Sequence, residues 1–212
     1  MDELNQNILF IGEGAAITLI LLLGGLLIGT LLGTVLALLR YQGIAKPLIN
    51  GFISIIRGTP VILQLSFAYF ALPALIGIKV NILTAGLATF GLNSSAYIAE
   101  ILRSGIDHVP KGQFEAAKTL QIPGFYLWKD IILPQVVKNI LPAFINEMIA
   151  LLKETALIAT IGGMDLMRRA QSVAAEQFTY FTPLCIAAVY YYVVVLVIEC
   201  LGKKIVQKEA LC

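Results

Sequence analysis

The sequence predicts an all-α integral membrane protein with about five transmembrane helices and one long cytoplasmic connection. Of its 212 residues, 58% are hydrophobic and the mean hydropathy is +0.87, whereas soluble domains are about 45–50% apolar. Uncharged runs also reach the length of about 20 residues that crosses a hydrocarbon layer of roughly 30 Å. We expect a single transmembrane domain over residues 1–212. Its predicted spans are residues 14–39, 58–78, 80–101, 140–157 and 178–198.

The first three spans are indicated by runs without charge. Residues 14–39 form a run that is too long for a cleaved signal peptide, and acidic rather than basic residues precede it. Residues 58–78 and 80–99 are separated only by Lys79, which we place in a tight turn. The first span also has small residues four apart, which form a flat strip for close helix packing. They are Gly25, Gly29 and Gly33.

The fourth and fifth spans differ in charge. Residues 140–157 are interrupted by Glu147, Lys153 and Glu154, whereas residues 178–198 are uncharged. The three cysteines lie in or after the last span without the spacing of metal ligands, so neither a metal site nor a disulfide framework is indicated. They are Cys185, Cys200 and Cys212.

The distribution of basic residues predicts the orientation of the chain. Residues 1–13 contain acids but no Lys or Arg, whereas residues 40–57 contain three basic residues and no acid. With five spans, eleven of the 15 Lys and Arg residues fall on one side of the membrane, which the positive-inside tendency assigns to the cytoplasm. We therefore predict an outside amino terminus and a cytoplasmic carboxyl terminus.

The cytoplasmic connection between spans three and four, about residues 103–134, is longer than two packed helices require. Residues 113–120 contain helix formers with an apolar recurrence near the helical period, which predicts a short helix. Pro123 and Gly124 should end that helix. A second helical stretch from about Phe125 should then return to the membrane.

The predicted short helix has two explanations. It can lie on lipid as an interfacial helix, or it can dock into a groove of a partner protein. Phe114, Ala117 and Leu120 share one face, but the amphipathic character is weak. The adjacent small side chains of Ala116 and Ala117 favour the close fit of docking.

Four stretches, in order along the chain, are similar to the permease subunits of polar amino acid ATP-binding cassette (ABC) importers, the family of histidine, glutamine and arginine transporters. The resemblance covers nearly the whole chain. The family usually has glycine where this chain has Gln121. The stretches are Arg57-Gly58-Thr59-Pro60, Ala96-Tyr97-Ile98-Ala99-Glu100, Glu115-Ala116-Ala117 followed by Ile131, Leu133 and Pro134, and Leu152-Lys153-Glu154-Thr155-Ala156-Leu157.

The resemblance implies the type I ABC importer fold in a bacterial or archaeal cytoplasmic membrane. It also implies the partners: two ATP-binding cassette ATPase subunits that bind ATP and Mg, a second permease chain, identical or related, and an extracytoplasmic binding protein for the amino acid substrate. The helix around Glu115, the EAA motif, would be the coupling helix that docks on the ATPase. The implied docking residues are Phe114, Glu115, Ala116, Ala117, Leu120 and Gly124.

The chain itself is predicted to be a transport subunit rather than an enzyme. It contains no Gly-x-x-x-x-Gly-Lys-Ser/Thr phosphate loop, and Gly202-Lys203 is followed by Lys204 instead of a hydroxyl residue. The single His108 lies in a polar loop without a nucleophile beside it. We expect no cofactor or metal in this chain and no nucleic acid partner.

The acidic residues of span four are the candidates for substrate binding, because charges within a membrane are costly and usually face a cavity or a partner. Glu147 and Glu154 are seven residues apart and would share one helical stripe. Either carboxylate could bind the α-amino group of an amino acid or a basic side chain, and Thr155 could donate to its carboxylate. Weaker candidates in spans two and three are Gln64, Asn93 and Ser94.

Other interpretations stay open on the sequence alone. Glu154 could instead serve the fold by pairing with Lys153, Arg168 or Arg169, or by capping a broken helix, and the similar family tends to have aspartate at this position. An ion channel or secondary transporter would work without an ATPase, although such proteins often show two repeated halves, which are not evident here. A membrane scaffold that anchors a cytoplasmic protein is the third alternative.

Overall fold

The structure, a computed structural model, describes residues 2–211, with side chains for residues 3–207. Within residues 2–211 the chain is largely helical and has no strand; Cys212 lies outside the described residues. The helices are α1 (Asp2–Gly12), α2 (Ala15–Tyr41), α3 (Lys46–Gly58), α4 (Val61–Ser66), α5 (Leu72–Ile76), α6 (Ile82–Asp107), α7 (Lys111–Thr119), α8 (Gly124–Tyr126), α9 (Leu133–Glu154), α10 (Leu166–Glu176) and α11 (Phe181–Leu211).

Short segments of other helical types join some of these helices. A π-helical turn, Phe67–Ala71, makes α4 and α5 continuous, and a second one, Leu127–Ile132, joins α8 to α9. A 3₁₀ helix, Thr155–Ile161, follows α9 and ends at Gly162, whose positive φ of 90° suits glycine.

Three segments of the described chain are long and apolar enough to cross a membrane, by length and composition. They are Glu3–Tyr41, Ile82–Asp107 and Phe181–Gln207. The pair Lys46–Gly58 and Val61–Ile76 qualifies only together, as a broken span or a re-entrant loop with a bend of 102°. Because α9 contains Glu147, Lys153 and Glu154, it does not stand out by apolarity, and its crossing stays a prediction.

The uncharged run of the second predicted span is broken near its start. Thr59 is extended, because the ring of the following Pro60 disfavours helical backbone before it. The run therefore splits: Gly58 ends α3, and the new helix covers Val61–Ile76. The amphipathic α3 buries Ile49 and Ile53 against small residues of α6.

The core is built on α6, which α2 and α9 contact along much of their lengths. The glycine strip of α2 faces α6, as the spacing predicts: a Cβ added to Gly25 would lie 3.2 Å from Phe90, and one added to Gly29 would lie 2.7 Å from the Cβ of Ser94. Helix α11 packs on α9 and α10. This arrangement brings the middle of α6 next to the acidic stripe of α9.

Candidate functional site

The two acidic residues of α9 lie two turns apart and contact neighbouring residues of α6. Glu147 is 8% exposed, and its Oε1 accepts a hydrogen bond of 2.8 Å from Ser94 Oγ. Glu154 is half-buried, and its Oε2 accepts a hydrogen bond of 3.0 Å from Asn93 Nδ2. Four of the residues predicted to bind substrate therefore come together in one place, which we call the carboxylate pair site (Asn93, Ser94, Glu147 and Glu154).

Close helix packing holds the carboxylate pair site together. Asn93 and Ser94 are almost fully buried in the middle of α6, and Gly29 of α2 lies directly against Ser94 with no side chain between the two helices. The small side chain of Ser94 fits this contact and still donates to Glu147. The position of Ser94 therefore depends on how closely α2 approaches α6.

No cation of the described part of the chain neutralises the carboxylate pair. The salt bridges among residues 3–207 involve neither Glu147 nor Glu154. Arg169 instead pairs with Glu13 at 2.6 Å, and Lys153 and Arg168 are exposed. The pairing of Glu154 with Lys153, Arg168 or Arg169 that the sequence left open is therefore not formed among residues 3–207.

Two further polar atoms of α6 lie buried without a hydrogen-bond partner among the described residues. They are the Oδ1 of Asn93 and the Oγ1 of Thr89, one helical turn earlier. Buried polar groups are normally satisfied, and an acceptor beside Glu154 suits an ammonium or guanidinium group. The sequence analysis did not select Thr89, although its spacing of four residues from Asn93 could have indicated it.

Thr155 and Gln64 have other partners in the structure. The Thr155 hydroxyl is fully buried and donates to the carbonyl of Leu152 at 2.6 Å. Gln64 Nε2 donates to the carbonyl of Ile56 at 2.8 Å and to the hydroxyl of Thr59 at 2.9 Å, so it stabilises the corner between α3 and α4. Both side chains make local structural contacts, and their role in binding substrate stays a prediction.

Asp165 forms a buried junction beside this region that the sequence analysis missed. It caps α10 by accepting from the backbone N–H of Arg168 at 2.9 Å, and it accepts from the hydroxyl of Tyr191 on α11 at 3.0 Å. Burial raises the pKa of Asp165, and these hydrogen bonds oppose the shift. An aspartate immediately before the first residue of a helix is a common N-cap, and this pattern could have identified Asp165.

The carboxyl-terminal part of α6 carries a charged cluster. Its residues include Arg57, Tyr97 and Glu100, which belong to two of the four stretches that resemble the permease family. Glu100 pairs with Arg40 of α2 and with Arg103, the latter at 2.9 Å. Arg57 approaches Glu100 at 3.8 Å and lies 5.1 Å from the ring centroid of Tyr97. The cluster therefore links α2, α3 and α6, nearer the carboxyl terminus of α6 than the carboxylate pair site.

The predicted coupling helix is α7, and its docking candidates divide into exposed and buried residues. Glu115, Ala116 and Leu120 are exposed, whereas Ala117 is only 2% exposed. Phe114 is half-buried, with its ring centroid 6.3 Å from that of Trp128. Gly124 is exposed at the start of α8, with open space around it. A partner could reach the exposed residues directly, whereas Ala117 packs within the chain.

The turn after α7 explains why glycine is usual at position 121 in the similar family. Gln121 has a positive φ of 52°, and the N–H of Ile122 donates to the carbonyl of Ala117 at 3.0 Å. This pattern is a Schellman cap, which prefers glycine in the left-handed position. The chain thus keeps the glycine-type turn with a glutamine in it.

No group of three His, Cys, Asp or Glu side chains that could hold a metal ion occurs among residues 3–207. The two cysteines with described side chains, Cys185 and Cys200, are exposed and unpaired.

Known proteins match both the sequence and the fold. A family model for the binding-protein-dependent transport system inner membrane component matches residues 25–210. The putative glutamine transport system permease protein GlnP of Rickettsia typhi is 46% identical over 204 residues, covering 95% of this chain and 94% of that protein. The arginine transport system permease protein ArtQ of Bacillus subtilis is 44% identical over 202 residues, covering 94% of this chain and 92% of that protein.

Among solved structures, a crystal structure of an amino acid ABC transporter with histidines has a TM-score of 0.87 and 37% identity, covering 94% of both chains. The inward-facing MetNI methionine ABC transporter shares the fold, with a TM-score of 0.72 at 18% identity. The type I importer fold expected from the motifs is therefore confirmed.

The helical bundle and these matches define a membrane transport component, not an enzyme. The chain belongs to the family of binding-protein-dependent transport system inner membrane components, because the family model covers most of its length. The recognition of an amino acid ABC importer permease from four short stretches is confirmed by this match and by the relatives.

Proposed function

We propose that the chain is the transmembrane subunit of an ATP-driven importer that moves a polar amino acid inward, and that basic amino acids such as arginine or histidine suit its site best. The observation that carries this proposal is the carboxylate pair site, where two acidic side chains lie within the bundle without an internal cation. A substrate with a positive side chain in addition to its α-amino group supplies two charges for two carboxylates.

The spacing of the two carboxylates supports a stepwise path. Seven residues of helix correspond to roughly 10 Å along the axis, so a substrate can contact one carboxylate before it reaches the other. Glu154 is the more exposed of the two and suits first contact, whereas Glu147 is more deeply buried and already bound by Ser94. The substrate carboxylate would then need a donor from the second permease chain or from solvent.

The proposed partners are those of an importer with separate subunits. Two ATPase subunits would bind ATP and Mg and dock on α7 through Glu115, Ala116 and Leu120, which are exposed. A second permease chain, identical or related, would complete the pathway, and an extracytoplasmic binding protein would deliver the amino acid. The proposed orientation places the amino terminus outside and α7 in the cytoplasm, as the distribution of basic residues favours.

Uptake by the complete complex in proteoliposomes tests the proposal. With the binding protein outside and ATP inside, we expect uptake of labelled arginine or histidine to exceed that of glutamine, and to stop without ATP. Flux that continues without ATP would identify a channel or a secondary transporter instead. Preferred uptake of glutamine would contradict the basic substrate but leave the ATP-driven importer in place.

A further inference from the structure

An apolar groove of about 570 Å³ runs along the outside of the bundle. We call it the lateral groove; its walls come from α2, α6 and the continuous helix that begins at α8. Leu38, Phe125 and Leu133 line it and are 54%, 69% and 52% exposed. The groove therefore opens sideways, toward the space that lipid occupies around a membrane protein.

A charged pocket of about 380 Å³ adjoins the lateral groove, because Ala37 and Ile106 line both. We call it the basic pocket; Arg40, Lys46 and Arg103 contribute to its wall, together with one acidic residue, Asp107. A further lysine, Lys129, lines the groove itself. One site thus combines an apolar slot with positive charge at one end.

Two lysines give this site its excess of positive charge. Arg40 and Arg103 are engaged with Glu100, and Arg103 also with Asp107. Lys46 and Lys129, in contrast, make no salt bridge with any side chain of residues 3–207. Their ammonium groups are available for an external anion.

Aromatic side chains also mark the site as an interface with lipid. Tyr41 at the end of α2 and Trp128 of the π-helical turn meet edge to face, with ring centroids 5.1 Å apart. Trp and Tyr concentrate at the headgroup level of membranes, where Lys and Arg attract anionic headgroups. Trp128 lies on the lateral groove, so it would contact the upper part of a bound acyl chain.

We propose that this site binds an anionic phospholipid, with an acyl chain in the lateral groove and the headgroup between Lys46 and Lys129. A zwitterionic phospholipid also carries a phosphate, but its own cation cancels that charge, so a headgroup with net negative charge gains more from the two lysines. An apolar protein segment would gain nothing from them. The bound lipid would bridge α2 and the helical segment that follows α7. This site is separate from the carboxylate pair site and does not depend on the proposed substrate.

The only tryptophan of the chain makes the proposal directly testable, since the sequence contains one Trp and it lines the groove. The complex in detergent is titrated with brominated phosphatidylglycerol or brominated phosphatidylcholine, and quenching of fluorescence is measured. The complex with Trp128→Phe supplies the background from tryptophans of partner subunits. We expect half-maximal quenching of Trp128 at a concentration roughly tenfold lower for the anionic lipid, because two lysines each contribute.

Charge variants identify the residues responsible. Lys46→Gln and Lys129→Gln should each reduce the preference for the anionic lipid roughly fivefold or less. A Lys near the membrane surface raises the affinity for anionic lipid by about this factor. Lys204→Gln, an exposed lysine on α11 outside both cavities, should leave the preference unchanged. Equal quenching by both lipids, no quenching by either because another chain covers the groove, or the same loss from Lys204→Gln would overturn the proposal.

Discussion

Glu154 and Glu147 differ in exposure, and the more exposed Glu154 gives the clearer test of substrate binding. Glu154→Gln keeps the shape and can still accept from Asn93, whose present hydrogen bond is 3.0 Å long, but it removes the negative charge. A charge-assisted hydrogen bond contributes about 1.5–3 kcal/mol, so we expect the apparent affinity for a basic amino acid to fall roughly tenfold to a hundredfold. Uptake at varied substrate concentration measures this change.

Glu199→Gln is the matched control for Glu154→Gln. Glu199 is also half-buried, lies on α11 and pairs with Lys203 at 3.7 Å, away from the carboxylate pair site. We expect the Glu199→Gln complex to bind substrate with unchanged affinity. Size-exclusion chromatography should show that both variant complexes assemble. Unchanged affinity in Glu154→Gln, or an equal loss in both variants, would remove Glu154 from the substrate site.

Gln121 is strained where the similar family has glycine, and this predicts a stabilising substitution. A left-handed backbone costs an L-residue roughly 1 kcal/mol or more, and the φ of Gln121 is 52°. We expect Gln121→Gly to slow amide hydrogen exchange across α7 by about fivefold, because glycine adopts the left-handed conformation of the helix cap without this cost. Mass spectrometry of residues 111–122 measures this exchange.

The same substitution inside α7 should act in the opposite direction. Gln113 is exposed within the helix, and glycine there costs about 1 kcal/mol relative to good helix formers. Gln113→Gly should therefore speed exchange in α7. Faster exchange in Gln121→Gly as well would show that the glutamine side chain, not the backbone conformation, stabilises this turn.

At the scale of elements, the close contact between α2 and α6 predicts that Gly29 does not tolerate a larger side chain. A Cβ on Gly29 would lie 2.7 Å from Ser94 Cβ and 3.2 Å from the Ser94 backbone carbon. Ser94 would have to move, and its hydrogen bond to Glu147 would lengthen. We expect Gly29→Ala to lower the midpoint of thermal unfolding and to reduce transport, as fluorescence melting and uptake assays would measure.

Gly51→Ala is the matched control for the glycine strip. Gly51 lies within α3 and has open space where a Cβ would stand, and alanine in a helix is favoured over glycine by roughly 0.5–1 kcal/mol. We expect equal or slightly higher thermal stability and normal transport in this variant. Equal behaviour of the two alanine variants would mean that close approach at Gly29 is not required.

The sequence predicts most elements, but not how they meet. Uncharged runs locate α2, α6 and α11, because a bilayer selects apolar length directly. The corner before α4 could be inferred from Pro60, whereas its bend of 102° could not. The pairing of Ser94 with Glu147 depends on the register between α6 and α9, and that register is set by packing of the whole bundle.

The same distinction applies to the candidate sites. The acidic stripe of α9 follows from the seven-residue spacing alone, but the contacts of Thr155 and Gln64 with nearby backbone carbonyls do not. In α7, the helical period places Ala117 with Phe114 on one face, and the structure turns that face inward. Sequence reasoning could not tell which of the adjacent alanines faces the partner, because Ala116, which is exposed, and Ala117, which is buried, have the same side chain.

At the scale of the whole molecule, one continuous helical segment runs from α8 through α9. It begins at Gly124, five residues after α7 ends, and finishes at Glu154 in the carboxylate pair site. Movement imposed on α7 could therefore reach the acidic residues along one helical segment, which includes the π-helical turn Leu127–Ile132 and Pro142. This continuity is the structural basis for proposing that nucleotide-driven motion of a partner controls the site.

Coupling through α7 predicts that a charge reversal on its exposed face separates ATP hydrolysis from transport. Glu115 is exposed and contributes little to the fold, so Glu115→Lys should insert and fold normally but disturb docking. We expect uptake to fall at least tenfold, while the remaining ATPase activity of the complex no longer responds to substrate. Asp130→Lys makes the same charge change on an exposed residue outside α7 and should preserve coupling. Substrate-stimulated hydrolysis at the normal level in Glu115→Lys would show that the ATPase docks elsewhere.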